Sequence, residues 1–176
     1  YDGKEPFADW QKKARARLVT LMGLDKITPA ADDCFSLEEV TEEDTYTDYR
    51  ILFQSEDGYF VPCHLWVPKG KEGKIPMVIC LQGHSTGMHI SMGRPKYEND
   101  AATISGGDRD FCVRAIAEGF AAVALEQRTM GESCNEESQG CYNSSMTNLL
   151  LGRTTIGERV WDISCLIDVL IDSFAD

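Results

Sequence analysis

Two short apolar segments with an amphipathic segment between them constrain the fold most. Residues 77–81 (MVICL) and 120–125 (FAAVAL) have the length of strands and carry no charge, which is typical of strands buried on both faces of a parallel sheet. Residues 108–118 (DRDFCVRAIAE) begin with aspartates and are followed by Gly119, as a helix would be. A strand, a helix and a strand joined by a right-handed crossover form a parallel sheet. The sequence therefore predicts the α/β class.

An antiparallel hairpin is predicted before this unit. Residues 49–55 and 59–67 are rich in β-branched and aromatic residues, and a turn with Gly58 separates them. Pro62 lies in the second run and has no N–H to donate, so we expect an edge position or a β-bulge there. His64 lies in the same run, and we interpret it as a side chain on one sheet face and not as a catalytic group.

Helices are predicted at both ends of the chain. Residues 7–22 repeat apolar side chains at helical spacing, and Gly23 follows as a C-terminal cap. Residues 155–176 carry a broad apolar stripe, with Glu158 and Asp162 expected on other faces. The stripe consists of Ile156, Val160, Ile163, Ile167, Leu170 and Phe174. Such a stripe needs a sheet to cover.

Two polar stretches separate these elements. The stretch up to residue 48 is acidic and contains Pro29, which predicts a surface excursion. Residues 1–48 are therefore expected to form an N-terminal helix and acidic excursion, and residues 49–176 to belong to the α/β domain. Residues 126–148 are polar and predict a long loop at the carboxyl end of a parallel strand, where functional sites commonly lie.

Charge excludes one class of partner. The chain has 29 acidic and 17 basic residues, a net charge of −12, and no cluster of Lys or Arg, so nucleic acid would be repelled. The longest apolar runs have strand length, which predicts neither a membrane span nor a signal peptide. Because the chain starts at Tyr1 and not at Met, an earlier removal of a leader stays open.

The cysteines indicate a reducing, cytoplasmic setting. There are seven, an odd number at irregular spacings, and several lie in apolar patterns where a thiol packs as a small hydrophobic group. A disulfide between Cys134 and Cys141 is left open. His84 and His89 match no zinc spacing, and we expect neither a metal nor a cofactor.

Residues 83–87, Gly-His-Ser-Thr-Gly, have the G-x-S-x-G pattern of many nucleophilic serines. That role needs a helix directly after the serine, together with an acid and a histidine later in the chain. The residues after Ser85 instead contain Gly87 and Pro95 without helical periodicity, and His89 is the last histidine. We therefore expect that Ser85 is not the nucleophile.

The same loop instead fits the part of an acyl-transfer site that binds the oxyanion. It follows a buried strand and precedes the first crossover helix, the position from which α/β-hydrolases take a second oxyanion-hole amide. Glycine at this point lets the backbone approach a substrate closely. The backbone donors of residues 82–85 therefore matter more than their side chains.

Four stretches in order resemble the N-terminal half of an α/β-hydrolase, from about residue 49 to 174. Within that superfamily they are similar to the acetyl xylan esterase and dienelactone-hydrolase-like group of bacterial esterases. The stretches are LWVP, VICLQGHSTG, EGFAAVALEQRTMGES and LLLGRTTIGERVWDISCLIDVL. EQRTMGES resembles the family loop acid/Gln-Arg-Gly-x-Gly-Glu-Ser, with Thr129 where a glycine is common.

The resemblance implies a serine-type carboxylic-ester hydrolase that acts on a small-molecule ester and needs no cofactor. By this resemblance the His84 backbone N–H contributes to the oxyanion hole, and Gly83 and Ser85 shape its loop. Arg128 and Glu132 are expected to hold their loop together. The nucleophile, the acid and the histidine would come from outside this chain, as a continuation or a second chain, so that the chain alone is inactive. An oligomer stays open.

The alternative is a non-catalytic binding or assembly module. In that case the chain would pair with a partner through an exposed sheet edge and the apolar face of its last helix, because such a face needs cover. Residues with catalytic chemistry outside this chain would distinguish the two hypotheses.

Overall fold

A five-stranded mixed sheet organises the computed structural model, which describes residues 1–30, 35–84, 86–134 and 141–174. The strands are β1 (Phe35–Glu42), β2 (Tyr46–Glu56), β3 (Tyr59–Pro68), β4 (Met77–Cys80) and β5 (Ala121–Leu125). They lie in the order β1-β2-β3-β5-β4, and only β4 and β5 pair in parallel. The predicted hairpin, the parallel pair and the α/β class are thereby confirmed.

Helices cover both faces of the sheet. In the described ranges they are α1 (Phe7–Met22), α2 (Asp100–Ser105), α3 (Phe111–Ala117), α4 (Cys141–Leu150) and α5 (Thr155–Phe174). α3 packs on the face that carries Trp66 and Ala122, and α5 packs on the face that carries Phe53 and Val123. None of these helices is long and apolar enough to cross a membrane.

The two parallel strands differ in burial although both are apolar throughout. All five residues of β5 are at most 3% exposed, because β5 has a neighbour on each side and a helix on each face. β4 has β5 on one side only, and its Met77 and Val78 are 37% and 40% exposed. The expectation of burial on both faces is therefore wrong for β4, which leaves an apolar strand at the edge of the sheet.

The acidic stretch before residue 48 contains a strand that the sequence did not predict. β1 pairs antiparallel with β2 from Phe35 opposite Phe53 to Glu42 opposite Thr47. Seven of its eight residues are exposed, so neither face shows the alternation that marks a half-buried strand. The predicted surface excursion is therefore replaced in part by an edge strand.

Pro62 occupies neither an edge strand nor a bulge. β3 lies between β2 and β5, and the register shift of β2 falls between Gln54 and Glu56. The Pro62 carbonyl accepts a hydrogen bond of 2.8 Å from the Glu126 N–H, one residue beyond the end of β5. A residue pair of this kind normally exchanges two bonds. The missing proline donor therefore removes only one of the two bonds at the last rung of the ladder.

Two helices lie in segments predicted as loops. α4 occupies the end of the polar stretch 126–148, and the short α2 lies in the region after Gly87 that lacks helical periodicity. α2 spans only six residues, too few for a periodic pattern. α2 contacts the loop after β4 through Asp100 and Thr86, and α4 contacts the loop after β5 through Cys141 and Thr129.

The predicted orientation of the last helix is wrong in part. α5 buries Glu158, Asp162, Leu166 and Leu170, whereas Ile156 is 60% exposed. Its remaining outward apolar residues are Val160, Ile167 and Ile171. Two acidic side chains at its first turns point inward because a buried cation lies beneath them.

That cation is Arg128, which follows β5. Its guanidinium donates to both carboxylate oxygens of Asp162 at 2.8 and 2.7 Å, to Glu56 at the end of β2 and to the Ser55 hydroxyl. Arg153 joins the cluster through Glu56 and Glu158 at 2.8 and 2.9 Å. Charges buried this deeply are tolerated only when each is paired.

We expect Arg128→Met to lower the free energy of unfolding by about 3–5 kcal/mol, since it leaves buried carboxylates without their main cation. Urea denaturation followed by circular dichroism measures the loss. Arg114→Met is the matched control, because the Arg114 side chain is 52% exposed in its ion pairs and exposed ion pairs contribute little to stability. Similar losses for both variants would contradict the assignment.

Candidate active site

Two loops meet where the parallel strands end. Residues 81–87 (the β4 loop) follow β4, and residues 126–133 (the β5 loop) follow β5. Carboxyl ends of neighbouring parallel strands share one edge of a sheet, which is the common position of sites in this class. The Gln127 side chain donates to the Gln82 carbonyl at 2.6 Å and joins the loops directly.

The tip of the β4 loop faces solvent. Gly83 and His84 are both exposed, and a methyl group placed on Gly83 would meet no atom within 4 Å. Ser85, the third residue that the sequence analysis assigned to this loop, lies outside the described residues. A backbone with open space in front of it can be approached closely by a ligand, as the predicted oxyanion role requires.

A buried carboxylate holds the base of both loops. Glu126 is 1% exposed, and its oxygens accept from the Met88 N–H at 3.0 Å, the Glu132 N–H at 3.2 Å and the Gln82 side chain at 3.3 Å. Burial raises the pKa of Glu126 to about 7, although the two backbone N–H donors act to lower it. Glu126 is not among the site residues that the sequence predicts, although its position directly after a buried strand was the available signal.

Two glycines leave room for this carboxylate. A Cβ on Gly87 would lie 3.0 Å from Glu126 Oε2 and 2.9 Å from the Gly131 Cα, and a Cβ on Gly131 would overlap the carboxylate itself. Both residues have positive φ, at 148° and 43°. Larger side chains are therefore excluded by close approach as well as by backbone conformation.

His89 anchors the chain just after the β4 loop and is only 2% exposed. Its Nε2 lies 2.8 Å from Asp100, a carboxylate that can only accept, so this nitrogen carries the proton. The Thr86 hydroxyl also donates to Asp100, at 2.7 Å. Burial raises the pKa of Asp100, but the hydrogen bonds from Thr86 and two backbone N–H groups outweigh it and lower that pKa.

His64 is likewise held in a structural network. Its Nδ1 lies 2.8 Å from Asp48, and its Nε2 lies 3.3 Å from Arg50, which can only donate. Arg50 reaches on to Glu132 at 2.7 Å. Glu132 therefore ties the β5 loop to the sheet, in agreement with the expected role of this residue and with the interpretation of His64 as a side chain on a sheet face.

Thr129 shows where this loop departs from the resembled family pattern. Its φ of 69° lies in the left-handed region, which disfavours a β-branched residue and explains why glycine suits the position. The Thr129 hydroxyl contacts Cys141 Sγ at 3.2 Å, and Arg159 donates to the same hydroxyl at 3.2 Å. Cys134 and Cys141 do not form a disulfide with each other.

The described residues contain no group of three or more His, Cys, Asp or Glu side chains arranged to hold a metal. The exposed backbone of the β4 loop can offer hydrogen-bond donors to a ligand. The buried groups beneath that loop position it.

Comparisons with known proteins identify the same architecture. No protein-family model and no curated protein matches the chain. A Bacteroides fragilis NCTC 9343 protein assigned as an acetyl xylan esterase superposes with a TM-score of 0.80 and 18% identity, over 95% of this chain and 44% of that one. The methylesterase BT1017 superposes with a TM-score of 0.67 and 17% identity, over 98% of this chain and 34% of that one.

Acetyl xylan esterase 1 from Thermoanaerobacterium sp. JW/SL YS485 is a third similar structure, with a TM-score of 0.52 and 16% identity over 91% of this chain and 45% of that one. The chain thus spans less than half the length of each of these proteins. At these identities the likeness shows the fold alone: this chain has the fold of part of each of these proteins, in agreement with the resemblance stated from the sequence.

The raised pKa of Glu126 has a consequence for stability. The folded protein holds this proton more tightly than an unfolded chain, whose pKa is 4.5. The proton on Glu126 therefore stabilises the folded protein in full below about pH 4.5. This contribution, about 3 kcal/mol at most, is lost as the pH rises to about 7. The free energy of unfolding of Glu126→Gln minus that of wild type should therefore increase by about 3 kcal/mol between about pH 4.5 and 8. Urea denaturation measures this difference. A difference that stays constant over this range would contradict the assignment.

Proposed function

We propose that the protein carrying this chain is a serine-type carboxylic-ester hydrolase, and that the chain supplies its oxyanion loop. The observation that carries the proposal is the β4 loop, which presents Gly83 and His84 to solvent at the carboxyl ends of parallel strands. The esterase-like fold supports it.

In the proposed reaction a serine from outside this chain attacks the acyl carbon of a small-molecule ester. The carbonyl oxygen gains negative charge in the tetrahedral intermediate, and the His84 N–H donates to it. A histidine, also from outside this chain and oriented by an acid, takes the serine proton and returns it to the departing alcohol. The bond from the acyl carbon to the alcohol oxygen breaks, which leaves the acyl group on the serine. Water then attacks this acyl-serine, the histidine takes a proton from the water and passes it to the serine oxygen, and the carboxylic acid is released. No cofactor is needed for this chemistry.

The free edge of β4 supports the proposal that further residues complete the sheet. A groove of about 540 Å³ runs along that edge, lined mainly by apolar residues. Its main apolar residues are Val78, Ile79, Leu81, Phe111, Ala115 and Phe120. α3 and α5 cover opposite faces, so two right-handed crossovers move the chain in opposite directions across the sheet. A parallel strand that follows α5 would therefore lie beside β4, and the remaining residues would join there as a continuation or a second chain.

A second candidate is the binding or assembly module. The observation that favours it is the outward apolar face of α5, where Ile156 and Ile171 are 60% and 58% exposed. In this alternative the β4 edge and the α5 face would bind a protein partner without catalysis, and an oligomer of this chain would be one such assembly.

A fluorophosphonate probe distinguishes the two functions, because it labels serines activated for acyl transfer. We expect the protein encoded by the complete reading frame to be labelled on a serine outside residues 1–176 and to hydrolyse p-nitrophenyl acetate. Ser85→Ala should retain the label. Peptide mapping by mass spectrometry locates it. A label on Ser85 would contradict the assignment of the nucleophile, and no labelling or hydrolysis would favour the binding module.

A proline tests the amide of His84 directly. His84→Pro removes the N–H and should lower kcat by about 10²–10³-fold, with KM nearly unchanged, as loss of one oxyanion-hole donor does. His84→Ala is the matched control because it removes the imidazole and keeps the amide, and it should retain kcat within a few-fold. Steady-state kinetics on p-nitrophenyl acetate measure both. Equal kcat for the two variants would overturn the role of this amide.

A further inference from the structure

Glu126 differs from the other buried acidic groups. Asp48, Asp100 and Asp162 are each 4% exposed or less, and each faces a histidine or an arginine within 3.0 Å. In the part of the chain that the structure describes, Glu126 has no such ion pair, and its hydrogen-bond donors are the neutral groups at Gln82, Met88 and Glu132. Its raised pKa shows that ionising it costs stability. A group of this kind is a candidate for a functional role.

The contacts of this carboxylate enclose the β4 loop. Gln82 lies at the start of the loop and Met88 directly after its end, and both donate to the same oxygen, Oε1. The other oxygen, Oε2, accepts from the Glu132 N–H in the β5 loop. Gly83 and His84 therefore lie on a short span of chain whose two ends are attached to one side chain.

We propose that Glu126 is a positioning residue, whose carboxylate sets the conformation in which the β4 loop presents its backbone N–H groups to the substrate. This inference rests on the proposed function of the loop. Glu126 itself does not touch the substrate, because it is buried beneath the loop. It acts through the Gln82 side chain and the Met88 backbone N–H.

A carboxylate suits this place better than its amide. All three groups that contact Glu126 are N–H donors, and a carboxylate accepts on both oxygens. A glutamine can accept on one side only, so its NH₂ would face either the Met88 N–H or the Glu132 N–H. Glu126→Gln therefore keeps the size of the side chain and breaks the hydrogen bond from either the Met88 N–H or the Glu132 N–H.

Ionisation strengthens the attachment, since N–H donors bind a charged acceptor about twice as strongly as a neutral one. The charged groups around Glu126 are few. The Glu132 carboxylate acts to raise its pKa and Lys96 acts to lower it. His89 Nδ1 also lies nearby, since a Cβ on Gly87 would be 2.9 Å from it and 3.0 Å from Glu126 Oε2; the other ring nitrogen of His89 is bonded to Asp100. The hydrogen bonds should therefore strengthen as the pH rises through about 7, where Glu126 loses its proton.

Two measurements on the complete protein test this inference. In protein labelled with ¹⁵N-methionine, the Met88 amide signal, assigned with Met88→Leu, should shift with pH at a midpoint near 7, and this titration should be absent in Glu126→Gln. In ester hydrolysis, Glu126→Gln should lower kcat by about 10–100-fold, as misplaced active-site groups do, and leave KM within about two-fold. Glu72→Gln changes an exposed glutamate between β3 and β4 and is the matched control for both.

The outcomes separate this inference from the proposed function. A titrating Met88 amide with a loss of kcat supports both. A Met88 amide without a titration that depends on Glu126, or an unchanged kcat in Glu126→Gln, overturns the positioning role while hydrolysis by wild type still supports the esterase. If wild type hydrolyses no ester, the proposed function fails, and the positioning role fails with it even where the amide titrates.

Discussion

The buried charge of Arg128 determines how the rest of the molecule is arranged. This one guanidinium contacts the end of β2 through Ser55 and Glu56, and α5 through Asp162. Burial of so many charges is tolerated only when their geometry satisfies all of them together. The requirement turns the acidic side of α5 inward at its first turns and leaves several isoleucines outward. Helix placement, and with it the free face of α5, therefore depends on an ionic contact and not only on apolar burial.

The segment directly after β5 connects this core to the candidate site. Glu126 contacts the β4 loop, and Arg128, two residues later, contacts α5 and β2. β5 is buried on both faces, so the residues at its end are held in place by the elements packed on each side. Residues 126–128 thus place a carboxylate beneath the β4 loop and a guanidinium in the core. This arrangement gives the exposed tip at Gly83 and His84 a fixed base, which a backbone oxyanion site requires.

The position of the candidate site could be predicted, but the groups that hold it could not. A glycine-rich loop after the apolar run 77–81 predicts residues 83–85 as candidate site residues from local pattern alone. The partners of Glu126 are 6 to 44 residues away in sequence, and nothing in a linear pattern indicates that Gln82 and Met88 share one oxygen. Similarly, His89 and His64 look available in the sequence, and only their contacts with Asp100 and Asp48 show that both are engaged.

The sequence by itself determined the elements with strong periodicity or continuous apolar character: the hairpin, β4, β5, α1, α3 and α5. Local side-chain pattern is sufficient there because each element's own residues favour one conformation. The tertiary structure alone decided that residues 35–42 form a strand, that α5 buries Glu158 and Asp162, and that β4 lies at an edge. Pairing with β2 specifies the first, and the distant charge of Arg128 specifies the second. The third follows from strand order, which depends on the handedness of crossovers and on contacts between residues far apart in the chain.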